Sequence, residues 1–259
     1  MSSPTWTPAA LSSELRPYER PVWRLVEAQH HVSTLKLVDS LAEQSALENL
    51  IEKAKPLVPV ECRGLHYLLS TPFRYDAPYP VGSRFRRAGR TAGVFYAAES
   101  PETAVAEMAF YRLLFFAESP LTPWPVNPAE YTAFSVAVRT ERLLDLTSAP
   151  LAADSNLWRD PVEYAPCQAL ADAVREASAE ALRYQSIRDP EGRAAVAVLT
   201  CAAFAKPQPL DRQTWKIGLG SSGAHAICEF PPARIEFDRE AFASDPRLDS
   251  MVWSRLKSN

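Results

Sequence analysis

Apolar positions along the chain change period several times, and each change marks an element. "PVWRLVE", Pro21 to Glu27, reads as a short strand. In "STLKLVDSLAEQSALENLIEKAK" from Ser33, residues Leu37, Val38, Leu41, Leu47, Leu50 and Ile51 recur at helical spacing, predicting an amphipathic helix that ends before Pro56. "GVFYAA" is a β-type run entered through Gly93. Ser100 then stands where an N-cap belongs, with Pro101 in the first helical position and Glu102 favourable to the helix dipole, so a helix is expected to about Ala117. Strands are predicted at Tyr131–Val138 and Leu143–Leu146, followed by a helix from about Val162 to Leu182. The remainder, "YQSIR", "AAVAVLT", "TWKIGL", "AHAICEF" and "RIEF", reads mostly as strand, and "GLGSSG" as a turn between two late strands. With few regular βαβ units, the order favours an α+β fold with a mixed β core flanked by helices.

Composition narrows the class. Hydrophobic residues make up 47% of 259 residues, enough for a packed core. The formal net charge of -3 gives no global reason to expect direct nucleic-acid binding. With 23 prolines against 8 glycines, the connections are expected to be stiff. No apolar run reaches the roughly 20 residues of a membrane span, and no signal peptide is evident, so a cytoplasmic protein without a membrane partner is expected. The cysteines Cys62, Cys167, Cys201 and Cys228 are far apart in sequence. They read as isolated, reduced core residues, and His30, His31, His66 and His225 show no metal-ligand spacing, so no metal is expected. Glycine-rich nucleotide fingerprints and a nucleophile elbow are both missing.

Candidate chemistry concentrates in "GSRFRRAGRTAGVFYAAESPETAVAE", Gly82 to Glu107. Arg84, Arg86, Arg87 and Arg90 fall within seven residues, and planar guanidinium forks suit phosphate or carboxylate, though a solvated basic loop accounts for most such clusters. Glu107 lies on an apolar helical face beside Thr103, Ala104, Phe110, Tyr111 and Leu114. A carboxylate there must be ion-paired, protonated or open to a cleft. Tyr96 closes a strand, where an aromatic ring can stack on a planar ligand or simply pack.

These residues resemble the RES domain, named for its Arg, Glu and Ser residues and similar to toxins paired with Xre-type helix-turn-helix antitoxins. The pattern falls on Trp23-Arg24, Ser83-Arg84-Phe85, Tyr96, Glu107 and, in "RYQSIR", Ser186 with Arg188. Its first arginine falls on Arg24 or on Arg74 of "PFRY", the "WRL" context favouring Arg24. The resemblance divides the chain into an N-terminal arm (1–20), a catalytic domain (21–231) with an inserted helix near 33–55, and a C-terminal tail (232–259). It implies an ADP-ribosyltransferase-like fold and an enzyme for which NAD+ is substrate rather than cofactor. Arg84 with Arg24 or Arg74, and Arg188, would bind NAD, and Tyr96 would stack on nicotinamide or its ribose. Glu107 would stabilise the ribosyl cation, and Ser186 would bond nicotinamide or orient Glu107. Water, phosphate or a protein side chain remain open as acceptor. The resemblance also implies a cognate antitoxin, DNA contact through that antitoxin, and an oligomeric toxin–antitoxin complex. Two other classes stay open: a catalytically silent binding module, and a glycosidase with a second acid roughly 5 to 10 Å from Glu107.

Overall fold

The computed structural model describes residues 6–28, 37–74 and 80–255. His30, His31 and the start of the helix predicted from Ser33 lie outside the described residues. Eight strands form one mixed sheet: β1 (Arg16–Glu27), β2 (Phe95–Ala98), β3 (Ala129–Asp145), β4 (Ala181–Gln185), β5 (Ala194–Val198), β6 (Arg212–Gly220), β7 (Gly223–Cys228) and β8 (Ala233–Asp238). Among the described residues the longer helices are α1 (Pro8–Ser13), α2 (Leu41–Ala54), α3 (Pro101–Glu118) and α4 (Ala165–Glu176).

The strand order β1-β2-β5-β4-β3 closes on itself, because β1 also pairs with β3 along its length. β6, β7 and β8 extend the sheet from β3, and the β3–β4 pair is parallel while the others are antiparallel. β5 shows why its sequence is an unbroken apolar run. Val196 and Val198 enter one core with Phe95 and Phe134, while Ala195 and Ala197 enter another with Leu182 and Tyr184. A strand buried on both faces loses the polar alternation of a half-exposed one. A third core packs α3, through Val105, Ala109, Phe110 and Leu113, against Trp215, Ile217 and Ala226 of β6 and β7.

Several boundaries differ from expectation for identifiable reasons. β3 is one strand of 17 residues rather than two, since β1 holds the polar stretch between its halves, pairing Glu19 with Arg139 and Tyr18 with Thr140. α2 begins at Leu41: Ser40 Oγ accepts from Glu43 N at 3.2 Å, capping the helix, and the Glu43 carboxylate reaches back to accept from Asp39 N at 2.9 Å. Leu41, Leu50 and Ile51 on this helix stay exposed. α4 stops at Glu176 instead of near Leu182. Ser178 takes a left-handed φ of 57°, and Ala179 N returns to Val174 O, so the chain turns into β4. The Ser221–Ser222 turn joins β6 to β7 as expected.

Residues 6–20 hold α1, with Leu11 fully buried, and the start of β1. Residues 233–255 supply β8 and pack Phe242, Leu248 and Met251 against α3. Arg255 donates to the carbonyls of Phe116, Ser119 and Thr122 at the C-terminal end of α3. The reading of four isolated cysteines is corrected at two positions. Cys62 and Cys201, 139 residues apart, form a disulfide, a proximity that only the fold creates; Cys167 and Cys228 are free and buried. No helix among the described residues is long and apolar enough to cross a membrane.

Candidate active site

The loop before β2 delivers the first charge. Gly82, at φ 73°, starts a tight turn in which Ser83 N donates to Arg86 O at 2.7 Å and Arg86 N to Ser83 O at 3.2 Å. Arg84 and Phe85 therefore occupy the centre of the turn and point inward, 8% and 1% exposed. The Tyr96 hydroxyl holds the turn from β2, accepting from Phe85 N at 2.9 Å and bonding Ser83 Oγ at 2.8 Å. From α4, Gln168 Nε2 donates to Ser83 O at 3.1 Å. Arg84 donates to the carbonyls of Trp158 (2.7 Å) and Asp160 (3.0 Å) and lies 4.8 Å over the Tyr164 ring. Two other arginines of the cluster are used elsewhere: Arg86 bonds Thr91, and Arg87 pairs with Asp172 at the surface.

α3 delivers the acid. Ser100 Oγ accepts from Thr103 N at 3.2 Å, capping the helix one residue before Pro101. Glu107 and Tyr111 follow Thr103 at successive intervals of four on one stripe of this helix. Thr103 is fully buried and donates to Asp189 at 2.7 Å. Ser186, immediately after β4 and 1% exposed, donates from Oγ to Glu107 Oε1 at 2.5 Å. The same Oγ accepts from Arg188 N (3.3 Å) and Asp189 N (3.2 Å), so the turn after β4 aims the hydroxyl at the carboxylate.

Between these elements lies a cavity of about 250 Å³. Arg24, Arg84, Tyr96, Glu107 and Arg188 line it, with Trp23, Met108, Tyr111, Tyr164 and Tyr184 as the aromatic and apolar walls. Arg24 reaches it from β1, donating to Tyr96 O at 2.8 Å and standing 5.0 Å over the Phe95 ring. Arg74 is elsewhere: it donates to Pro56 O at 2.7 Å and is not among the lining residues. Ser186 sits behind the wall and touches the cavity through Glu107.

Enclosure pushes the Glu107 carboxyl above the usual carboxylate range; the Ser186 hydroxyl and the charges of Arg188 and Arg84 oppose that rise, while Asp189 adds to it. Tyr184 is pushed well above its ordinary value chiefly by burial, and then by Glu107. Glu107 is the single carboxylate among the described residues lining this cavity. A glycosidase-type acid pair across it is therefore missing. Tyr111, Tyr164 and Tyr184 were not singled out for a site from sequence. Tyr111 could have been, being four residues from Glu107, and Tyr184 stands two residues before Ser186; nothing local marks Tyr164.

The molecule is thus an α+β domain whose single-acid, arginine- and tyrosine-lined cavity lies between one helix and the sheet. The RES domain family model matches residues 58–219, and the chain belongs to that family. No curated protein matches. A solved structure, that of the M. tuberculosis MbcT–MbcA toxin–antitoxin complex, contains a similar chain: 14% identity, TM-score 0.45, covering 78% of this chain and 90% of that one.

Proposed function

We propose that this RES-domain protein cleaves the nicotinamide–ribose bond of NAD+ and acts as the toxin of a toxin–antitoxin pair. The observation that carries the enzymatic reading is the Ser186–Glu107 hydrogen bond at the wall of a cavity that also presents Arg24, Arg84 and Arg188. In the reaction the C–N glycosidic electrons leave with the pyridinium nitrogen, giving neutral nicotinamide and a cationic ribosyl centre. The ionised Glu107 carboxylate faces that cation, as carboxylates do in glycoside cleavage. Ser186 fixes the rotamer of the acid, and Tyr96, Tyr111 and Tyr184 offer faces for the nicotinamide ring. The positive charge of Arg24 and Arg84 favours the diphosphate, with Arg24 rather than Arg74 as its partner because Arg24 faces the cavity. A volume of about 250 Å³ is below the roughly 300–1,000 Å³ of sites that bury whole drug-sized ligands, so it suits the nicotinamide riboside half of the dinucleotide.

Family membership supports a proteinaceous antitoxin of the Xre type that covers the cavity, contacts DNA itself and assembles with the toxin in the cytoplasm. The test is nicotinamide release from NAD+ by the purified chain, with and without inorganic phosphate and with products screened for ADP-ribosylated protein. Release that Glu107→Gln abolishes with the fold intact is expected. No release by the wild type, or release unchanged in that variant, overturns the reading.

A further inference from the structure

Glu107 has an arginine beside it, Arg188, whose charge reaches the carboxyl, yet among the described residues no ion pair forms on Glu107. Arg188 pairs instead with Asp245, Nη1 to Oδ2 at 2.5 Å, with side chains 4% and 1% exposed. Its Nη2 donates to Pro161 O at 2.6 Å and to the Tyr164 hydroxyl at 3.2 Å, and its guanidinium lies 3.9 Å over the Phe110 ring. Asp245 is itself held: it caps the turn Pro246–Asp249 by accepting from Arg247 N at 3.0 Å, and takes the Arg247 guanidinium at 2.9 and 2.8 Å. It lies outside residues 58–219, in the segment that packs against α3.

We propose that Asp245 is a positioning residue that holds Arg188 as its own counter-ion and so keeps Glu107 unpaired for the ribosyl cation. An unpaired buried arginine is costly and seeks the nearest carboxylate. With Asp245 neutral, Glu107, which shares the cavity and already feels the Arg188 charge, becomes its partner, and a Glu107–Arg188 pair both occupies the acid and cancels its charge. The kinetic side of this inference rests on the NAD+ reading; its spectroscopic side does not.

Asp245→Asn in the full chain is expected to lower kcat for nicotinamide release about tenfold, with KM changed less than about threefold, since the loss falls on the charge that develops in the transition state. Adding Arg188→Gln to Asp245→Asn is expected to raise kcat above that of the single variant, because the stray cation is gone; a merely structural Asp245 gives additive losses instead. Independently of catalysis, the Glu107 carboxyl carbon, assigned by difference from Glu107→Gln, can be titrated by ¹³C NMR. The groups facing it are Arg84, Arg188, Asp189, Tyr111, Tyr184 and the Ser186 hydroxyl. Asp245→Asn should move its titration downward by about one pH unit, the effect of a cation brought into contact. A titration unmoved in Asp245→Asn overturns the proposal whether or not the protein consumes NAD+. Should wild-type protein release no nicotinamide while the titration moves as expected, the NAD+ reading fails and the counter-ion role stands. Loss of kcat in proportion to the unfolded fraction, or additivity in the double variant, also overturns it.

Discussion

Ser186 Oγ stands 2.5 Å from Glu107 Oε1 although 79 residues separate them, and two backbone amides, those of Arg188 and Asp189, point at the same oxygen. The hydroxyl is thereby held with its proton toward the acid. Ser186→Ala removes the donor to Glu107 and leaves both amides without their acceptor. A fall in kcat of about tenfold is expected, with a stability loss of about 1–3 kcal/mol from the unsatisfied buried groups. Nicotinamide release measured beside thermal unfolding checks this; Ser186→Thr, which keeps the hydroxyl, should recover part of the rate.

Glu107 makes a pH-dependent contribution of definite sign. Its folded-state value lies above the unfolded one, so its favourable contribution is complete below the unfolded value of about 4.3 and is lost as pH rises through the folded value. At neutral pH the ionised acid is a liability that Glu107→Gln relieves. The variant should melt about 2–4 °C higher than wild type at neutral pH, the response to a change on the order of 1 kcal/mol. The gap should narrow toward about pH 4. Catalysis, which uses the ionised form, should fall off on the acid side at a pH above that of an ordinary glutamate. Melting curves and rate profiles across the same buffers test both.

Arg24 and Arg74 separate cleanly by place. Arg24→Ala should raise the KM for NAD+ roughly tenfold, the scale of one charge-assisted contact. Arg74→Ala, which loses the bond to Pro56 O away from the cavity, should instead register as lowered stability with KM near wild type. A KM effect confined to Arg74 would reverse the assignment.

The disulfide ties the turn at Val60–Cys62 to that at Cys201–Ala203. Thiol titration of denatured protein should count two thiols before reduction and four after. Reduction should lower the melting temperature, since a cross-link closing a loop of this size is worth about 4–5 kcal/mol in the chain-entropy account.

Much of the site was legible because its signals are local. The Ser100 cap, Pro101 and the four-residue spacing from Thr103 through Glu107 to Tyr111 are set within one helix, where capping and the 3.6-residue period act over a single turn. Arg84 was singled out among its neighbours by the resemblance to the RES domain, whereas the turn that aims it inward is held by Tyr96 and Gln168 from other elements. "AAVAVLT", "TWKIGL", "AHAICEF" and "RIEF" read as strands, and they supply β5 to β8. Where expectation failed, the reason was a distant partner in one case and a local one in the others. β3 stays one strand because β1 lies along it. α4 ends at a left-handed serine, Ser178, where a glycine would have been the readable signal. Leu41, Leu50 and Ile51 gave α2 its apolar period without being buried.

The residue types of the cavity and the helix that carries the acid were thus determined by the sequence alone, the helix through forces acting between near neighbours. Tertiary structure decided which charges meet. It brought Arg24 rather than Arg74 to the cavity and Ser186 to Glu107. It joined Cys62 to Cys201 and gave Arg188 to Asp245 instead of to the acid beside it. Such pairings depend on separations of 57 to 139 residues closed by sheet topology and core packing, and no local propensity encodes them.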